Sequence, residues 1–309
     1  MHPTPASRRS RMAPLVLTAL AAALAASLAG CKGDDEPEIN QLPANIAVQS
    51  VTAYTATGAG PGDTVATQDL LTAGLGKTGL GGAAPGFADA ANPTPAELRR
   101  RAIYTNYRGV LDITAAGGYG TLYGPNVAVD GTVGTSEGKI AGKEYIAYAD
   151  DGTGKKNVTL MVQIPASFDP ANPCIVAGPS SGSRGVYGAI GSAGEWGLKH
   201  GCAVAYTDAG KGTGYHDLAA DQVNLIDGRL VARPTAGTLA QFAADLSGSA
   251  LAAFNTATPN RIAYKHVHSS VVLDPNATTH IKSTHEDIMG SSFGTHCLPT
   301  RWTVRKNIY

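Results

Sequence analysis

The sequence carries no surplus of charge of either sign: 24 Lys and Arg residues offset 24 Asp and Glu. No basic stripe offers an electrostatic footprint for nucleic acid, so that class of partner is excluded. Only 16% of residues are charged while Gly numbers 38, which excludes a helical bundle and describes a loop-rich α/β chain. A phosphate loop is lacking too. Gly74-Leu75-Gly76-Lys77-Thr78 resembles a fragment of one, but Leu71 stands where the earlier glycine is required. Gly58-Ala59-Gly60 runs into Pro61 without the third glycine of a dinucleotide fingerprint. Both segments read as loops. His266 and His268, in Lys-His-Val-His, find no third ligand at a fixed spacing and read as structural histidines. No metal and no cofactor is expected.

What the chain does have begins at its N-terminus. Arg8, Arg9 and Arg11 precede an apolar run from Ala13 to Leu28, too short and too early for an ordinary membrane span. It closes Leu28-Ala29-Gly30-Cys31, the pattern in which small residues precede a cysteine whose thiol takes a lipid. Residues 1–31 are therefore expected to be a lipoprotein signal peptide with lipid on Cys31. The mature chain would be exported, as an outer-membrane lipoprotein or an extracellular protein, because Lys32 is not the aspartate of inner-membrane retention. Residues 32–45 are polar and acidic and read as a tether.

The stretch from Cys174 to Gly214 organises the rest. Cys174 to Ala177 suits a buried strand, and Gly178 to Gly185 is a run of small residues where backbone N–H groups can lie close to a ligand. Val186, Ile190, Ala193 and Gly197 share one face of a helix expected from Val186 to His200, which Gly201 caps. Cys202 to Tyr206 is a second buried strand. Strand, loop, helix and strand make a βαβ unit. Cys174 and Cys202 open the two strands; a disulfide and a pair of buried free thiols stand level as readings.

Upstream, Ile46 to Tyr54 reads as a strand and Thr55 to Asp89 as an irregular Gly-rich segment. Thr94-Pro95-Ala96-Glu97 is a capping box. It opens a helix with Ile103, Tyr107, Val110 and Leu111 on one face, and Arg99, Arg100 and Arg101 read as its solvated side. Tyr145 to Ala149 and Val158 to Ile164 flank Asp150-Asp151-Gly152-Thr153-Gly154, a hairpin signal. An antiparallel pair that feeds a parallel βαβ unit is how an α/β-hydrolase sheet begins. In that fold the loop after the third strand supplies an oxyanion-hole donor. Ser180, Ser181, Gly182 and Ser183 occupy that place, although a tight turn without a ligand explains them equally well. Downstream, His216 and Asp217 read as turn residues and Phe242 to Phe254 as a helical run.

Several long, irregular strings resemble the D-(−)-3-hydroxybutyrate oligomer hydrolases of poly(hydroxybutyrate)-storing bacteria. They include Asp69 to Leu80, Ala96 to Arg100, Thr105 to Arg108, Ala115 to Pro125, Gly178 to Gly185, Gly194 to Gly201 and Ala263 to Ser269. The resemblance implies an exported α/β-hydrolase that cleaves ester bonds in 3-hydroxybutyrate dimers and short oligomers through a serine nucleophile. Family members are longer than this chain, and their Ser-Val-Ser-Asn-Gly-Gly nucleophile turn does not follow Ser269. Ser180, Ser181 and Ser183 follow the wrong strand to replace it, and the triad's acid and histidine come after the nucleophile in this fold. The expectation is an incomplete domain over residues 46–269 and an aberrant tail over residues 270–309, left by a frameshift or premature stop. No turnover is expected from such a chain alone. A non-catalytic surface lipoprotein and an unstable pseudogene product are the competing readings.

Overall fold

The computed structural model describes residues 42–58, 64–150, 152–154, 157–180, 184–210, 214–243, 262–265 and 270–273. The chain divides into Met1–Leu42 and Pro43–Tyr309, and every element below belongs to the second unit. Cys31, Ser181, Gly182, Ser183, His266, His268, the run after Ala243 to Phe254 and the tail past residue 273 lie outside the described residues.

Five strands build the first sheet: β1 (Ile46–Tyr54), β2 (Gly142–Ala149), β3 (Val158–Pro165), β4 (Ile175–Pro179) and β5 (Ala203–Thr207). Their order is β1-β2-β3-β5-β4. Antiparallel pairing runs from β1 through β2 and β3 to β5, and β5 then pairs with β4 in parallel. A mixed sheet with helices packed on it is α/β in class. The order corrects one expectation. β4 is an edge strand, and Ile175 within it is 76% exposed, so the apolar run after Cys174 is not covered on both faces. β5 lies inside the sheet, between β3 and β4, with Ala203, Val204 and Tyr206 buried.

The residues between β4 and β5 wind as three short helical types in succession. A 3-10 turn (Val186–Ala189) leads into a π turn (Ile190–Gly194) and then α1 (Glu195–Lys199). Glycine explains the close fit. A Cβ on Gly194 would lie 2.6 Å from the Tyr206 hydroxyl, and one on Gly197 2.7 Å from Val204 Cγ2. The backbone thus rests directly on β5, and a glycine-rich run has little intrinsic preference for a regular α-helix. Gly201 takes φ +73°, the left-handed cap that the sequence predicts. A disulfide joins Cys174 to Cys202, with Cα atoms 4.8 Å apart, at the start of these two parallel strands.

The helix α2 (Pro95–Arg108) starts on its capping box. The Glu97 N–H donates to Thr94 Oγ1 at 3.3 Å, and the Thr94 N–H donates back to Glu97 Oε2 at 2.8 Å. Ile103, Tyr104 and Tyr107 bury its inner face against Met161, Ile190, Val204 and Tyr206. Each such side chain contributes about 1.5–3 kcal/mol relative to exposure. Val110, expected on that face, is exposed because the helix has already ended.

The described part of the segment from Thr55 to Asp89 is more ordered than its composition predicts. Buried Asp69 accepts the N–H groups of Leu71, Thr72 and Gly74 at 3.0, 2.9 and 2.7 Å. That local cage sets Leu70 and Leu71 into the core and leads into a short helix, Gly76–Gly81. The Gly74-to-Thr78 string is therefore a structural turn and helix start rather than an open loop.

The second sheet orders Tyr215–Asp217, Gln222–Asn224, Leu230–Ala232, Ile262–Lys265 and Ser270–Leu273 as β6 to β10, in the arrangement β10-β9-β6-β7-β8. Every pair in it is antiparallel. His216 and Asp217 thus lie in a strand and not in a turn. Phe242 is fully buried but is not helical.

Candidate functional site

Arg99 and Glu144 form a buried ion pair beside a cavity of about 540 Å³, with Nη2 and Oε2 2.9 Å apart. Arg99 stands one turn before Ile103 on the inner face of α2. Glu144 stands on β2 with Ile146 two positions on, on the same side of the strand. The arginine triplet is therefore not a solvated side: Arg99 and Arg100 are 7% and 3% exposed, and Arg101 alone faces outward.

Glu144 accepts hydrogen bonds from four residues. Tyr54 Oη (3.1 Å), Tyr187 Oη (3.0 Å) and Arg99 Nε (3.1 Å) donate to Oε1. Arg99 Nη2 (2.9 Å) and Gln163 Nε2 (2.8 Å) donate to Oε2. Burial alone would raise the Glu144 pKa; the Arg99 charge and the donated hydrogen bonds outweigh it and hold the group below the usual carboxylate range. Burial pushes the hydroxyls of Tyr54, Tyr187 and Tyr206 upward, so they act as neutral donors. A carboxylate so fully occupied is no general base. It fixes β1, β2, β3, α2 and the turn after β4 around one point, and the Arg99 guanidinium stacks 4.1 Å over the Tyr54 ring.

The sequence placed its candidate donors in the loop after β4, and the described part of that loop behaves differently. Ser180 is 5% exposed and its N–H donates to the Thr207 carbonyl at 2.8 Å, continuing the β4–β5 pairing. That amide is spent on the sheet and is not available to an oxyanion. The residues next described, Arg184, Gly185, Val186 and Tyr187, line the cavity instead. Arg184 Nη2 donates to the Asn106 carbonyl at 2.8 Å.

Two further polar clusters lie away from this cavity. Lys199 Nζ bonds Glu195 Oε1 at 2.6 Å and the carbonyls of Gly124 and Val127 at 2.7 Å, while Glu195 Oε2 accepts from Tyr107. His216 Nε2 meets Asp221 Oδ1 at 2.9 Å, and Asp221 is clamped by Arg233 Nε at 2.7 Å. Burial drives the His216 pKa down despite Asp221, which keeps the ring neutral. Among the described residues no group of three or more His, Cys, Asp or Glu is placed to hold a metal ion, and no helix is long and apolar enough to cross a membrane.

The missed residues had a signal. Arg99, Ile103 and Tyr107 recur every four positions, so the periodicity that marks the inner face includes the arginine. No solved structure matches this chain. Several known proteins do. A D-(-)-3-hydroxybutyrate oligomer hydrolase of Polaromonas naphthalenivorans (strain CJ2) is 60% identical over 257 residues, which is 82% of this chain and 35% of that protein. The protein of the same name from Albidiferax ferrireducens is 59% identical over 257 residues, and that from Burkholderia thailandensis is 58% identical over 265. The chain spans about a third of the length of the curated relatives it matches. The sequence model of the 3HB-oligomer hydrolase family matches residues 26–278, so the chain belongs to that family.

Proposed function

We propose that this chain supplies the first strands and the substrate cavity of an exported esterase that hydrolyses 3-hydroxybutyrate dimers and oligomers. The observation that carries this reading is the sheet order. An antiparallel pair passes into a parallel crossover, as an α/β-hydrolase sheet begins, and β4 is left as an open edge beside the cavity-lining turn. A further parallel strand with the nucleophilic serine fits on that edge, and its sequence lies outside the 309 residues of this chain. In the assembled site the serine oxygen attacks the ester carbonyl while a histidine takes its proton. The alkoxide of the shortened oligomer then leaves with that proton, and water releases the acyl group as a free acid. Because attack must be aimed, the rigid Glu144 cluster serves to hold the cavity wall in place. Lipid on Cys31 would keep the protein at the cell envelope, where oligomers arrive from outside.

The purified chain is assayed for 3-hydroxybutyrate released from the dimer, alone and after co-expression with the C-terminal portion of the Polaromonas relative. The expected result is release only with the added portion. Release by the chain alone, with clean controls, refutes the division of labour. No release from the mixture, with both parts folded and bound, refutes the assembly. Metabolic labelling with palmitate tests the lipid: label lost in Cys31→Ser supports it, and label retained overturns it.

A further inference from the structure

The cavity is not electrically neutral. Five charged side chains line it: Arg99, Arg101, Glu144, Arg184 and Asp227. Arg99 and Glu144 neutralise each other, and Asp227 is paired with Arg229 at 2.8 Å. Arg101 reaches outward to the Pro85 carbonyl. Arg184 remains, half-buried, and among the described residues its one hydrogen bond goes to a neutral carbonyl. Among the described residues no carboxylate meets it. Burial pulls its pKa down, and no charge partner offsets that pull. A guanidinium that has lost water without gaining a counter-charge is an incomplete arrangement.

Its position is nevertheless built. A Cβ on Gly109 would lie 2.2 Å from Arg184 Nη2, so the glycine after α2 leaves the space that the guanidinium fills. Gly109 has φ −72°, which any residue adopts, so the requirement there is room and not backbone freedom. Asn106 O holds one edge of the fork, and among the described residues no further acceptor meets its other N–H groups.

We infer that Arg184 receives the terminal carboxylate of the oligomer bound in this cavity. The inference rests on the proposed function for the identity of the ligand, though the arginine's geometry stands apart from it. A linear 3-hydroxyacid oligomer carries one carboxylate, at one end, and otherwise only ester and hydroxyl oxygens. Capture of that end by a planar two-pronged donor fixes the direction in which the chain lies and counts ester bonds from the acid terminus. Arg184 is a specificity-determining residue in this account: it reads the acid end and leaves the ester chemistry to others.

The test is calorimetric titration of the full chain with the linear 3-hydroxybutyrate dimer, its methyl ester, and octanoate. The wild-type chain is expected to bind the free acid roughly tenfold more tightly than the methyl ester, since a charge-assisted pair is replaced by a neutral contact. Arg184→Gln should remove that preference, bringing the affinities for acid and ester to within about twofold of each other. Gly109→Ala should do the same with the arginine retained, because the added methyl displaces its head. Thermal melts within a few degrees of wild type confirm that both variants fold. Equal binding of acid and ester by the wild type overturns the role of Arg184 and leaves the oligomer reading standing. Octanoate bound as tightly as the dimer, with the preference lost in Arg184→Gln, keeps the arginine's role and overturns the oligomer reading. Binding of none of the three overturns both.

Discussion

Arg99 Nη2 lies 2.9 Å from Glu144 Oε2, joining the second turn of a helix to a strand 45 positions away, with both side chains almost wholly buried. Breaking such a pair on one side leaves an uncompensated charge in the interior. Arg99→Met is expected to cost about 3–5 kcal/mol of stability. Arg99→Met with Glu144→Gln should recover part of that loss, since the amide removes the unpaired charge while its oxygen still accepts from the Tyr54 and Tyr187 hydroxyls. Urea denaturation of both variants checks this. A single variant that loses less than about 1 kcal/mol would remove the pair from its central place.

The same carboxylate gives the protein an acid limb. The Glu144 pKa is held below the usual carboxylate range in the folded state, so it is lower there than in the unfolded chain. Its contribution is therefore fully present above the unfolded carboxylate pKa and lost as pH falls through the folded value. Melting temperatures of the wild type should drop on acidification more steeply than those of Glu144→Gln. Parallel curves would show that other groups set the limb.

Reduction of the Cys174–Cys202 bridge should lower stability by about 2–4 kcal/mol, the usual effect of opening a loop of this size. Its ends are 28 positions apart. Melts with and without dithiothreitol, compared with Cys174→Ser/Cys202→Ser, give the number. The double variant should melt like the reduced wild type and ignore the reductant.

Thr94→Ala removes the hydroxyl that accepts the Glu97 amide and should cost about 1 kcal/mol through α2 alone. Thr94→Asp, which keeps an acceptor at the helix start, should restore it. The comparison separates the cap from the general effect of substitution at that site.

Ile175→Lys places a charge on the open edge of the first sheet. At 76% exposure the change should leave the melt of this chain within about 0.5 kcal/mol of wild type. It should nevertheless abolish ester cleavage in the co-expressed pair, because a charge facing an incoming apolar strand opposes pairing. Unimpaired cleavage would move the nucleophile strand elsewhere.

Local signals carried much of the fold. The capping box at Thr94 and Glu97, the hairpin between Ala149 and Val158, and Gly201 as a left-handed cap each involve residues a few positions apart, and each is where the sequence pointed. Burial of Arg99 was hidden because its partner is remote; helical periodicity placed the arginine inside, but charge alone suggested outside. The exposed edge at Ile175 was hidden too, since an apolar run does not reveal how many neighbours its strand will have. The second sheet is built of three- and four-residue strands, too short for alternation to register, and its central pairing joins Tyr215 to Tyr264 across the sequence. The cavity likewise joins residues remote in sequence, Arg99 and Glu144 on one side and Tyr215, Asn224 and Gln241 on the other. Arg184 was legible as one letter of a small-residue loop, but its role depends on the gap left by Gly109, 75 positions earlier.

The disulfide occupies one pole of the first sheet. It clamps β4 and β5 where they begin, whereas Pro179 and Thr207 end the two strands at the opposite pole. Strand registration is thereby anchored at a distance from the cavity-lining rim. Exchanges along that rim can reshape the cavity wall without loosening the scaffold beneath, so variation among relatives should concentrate at the rim and spare the anchored pole.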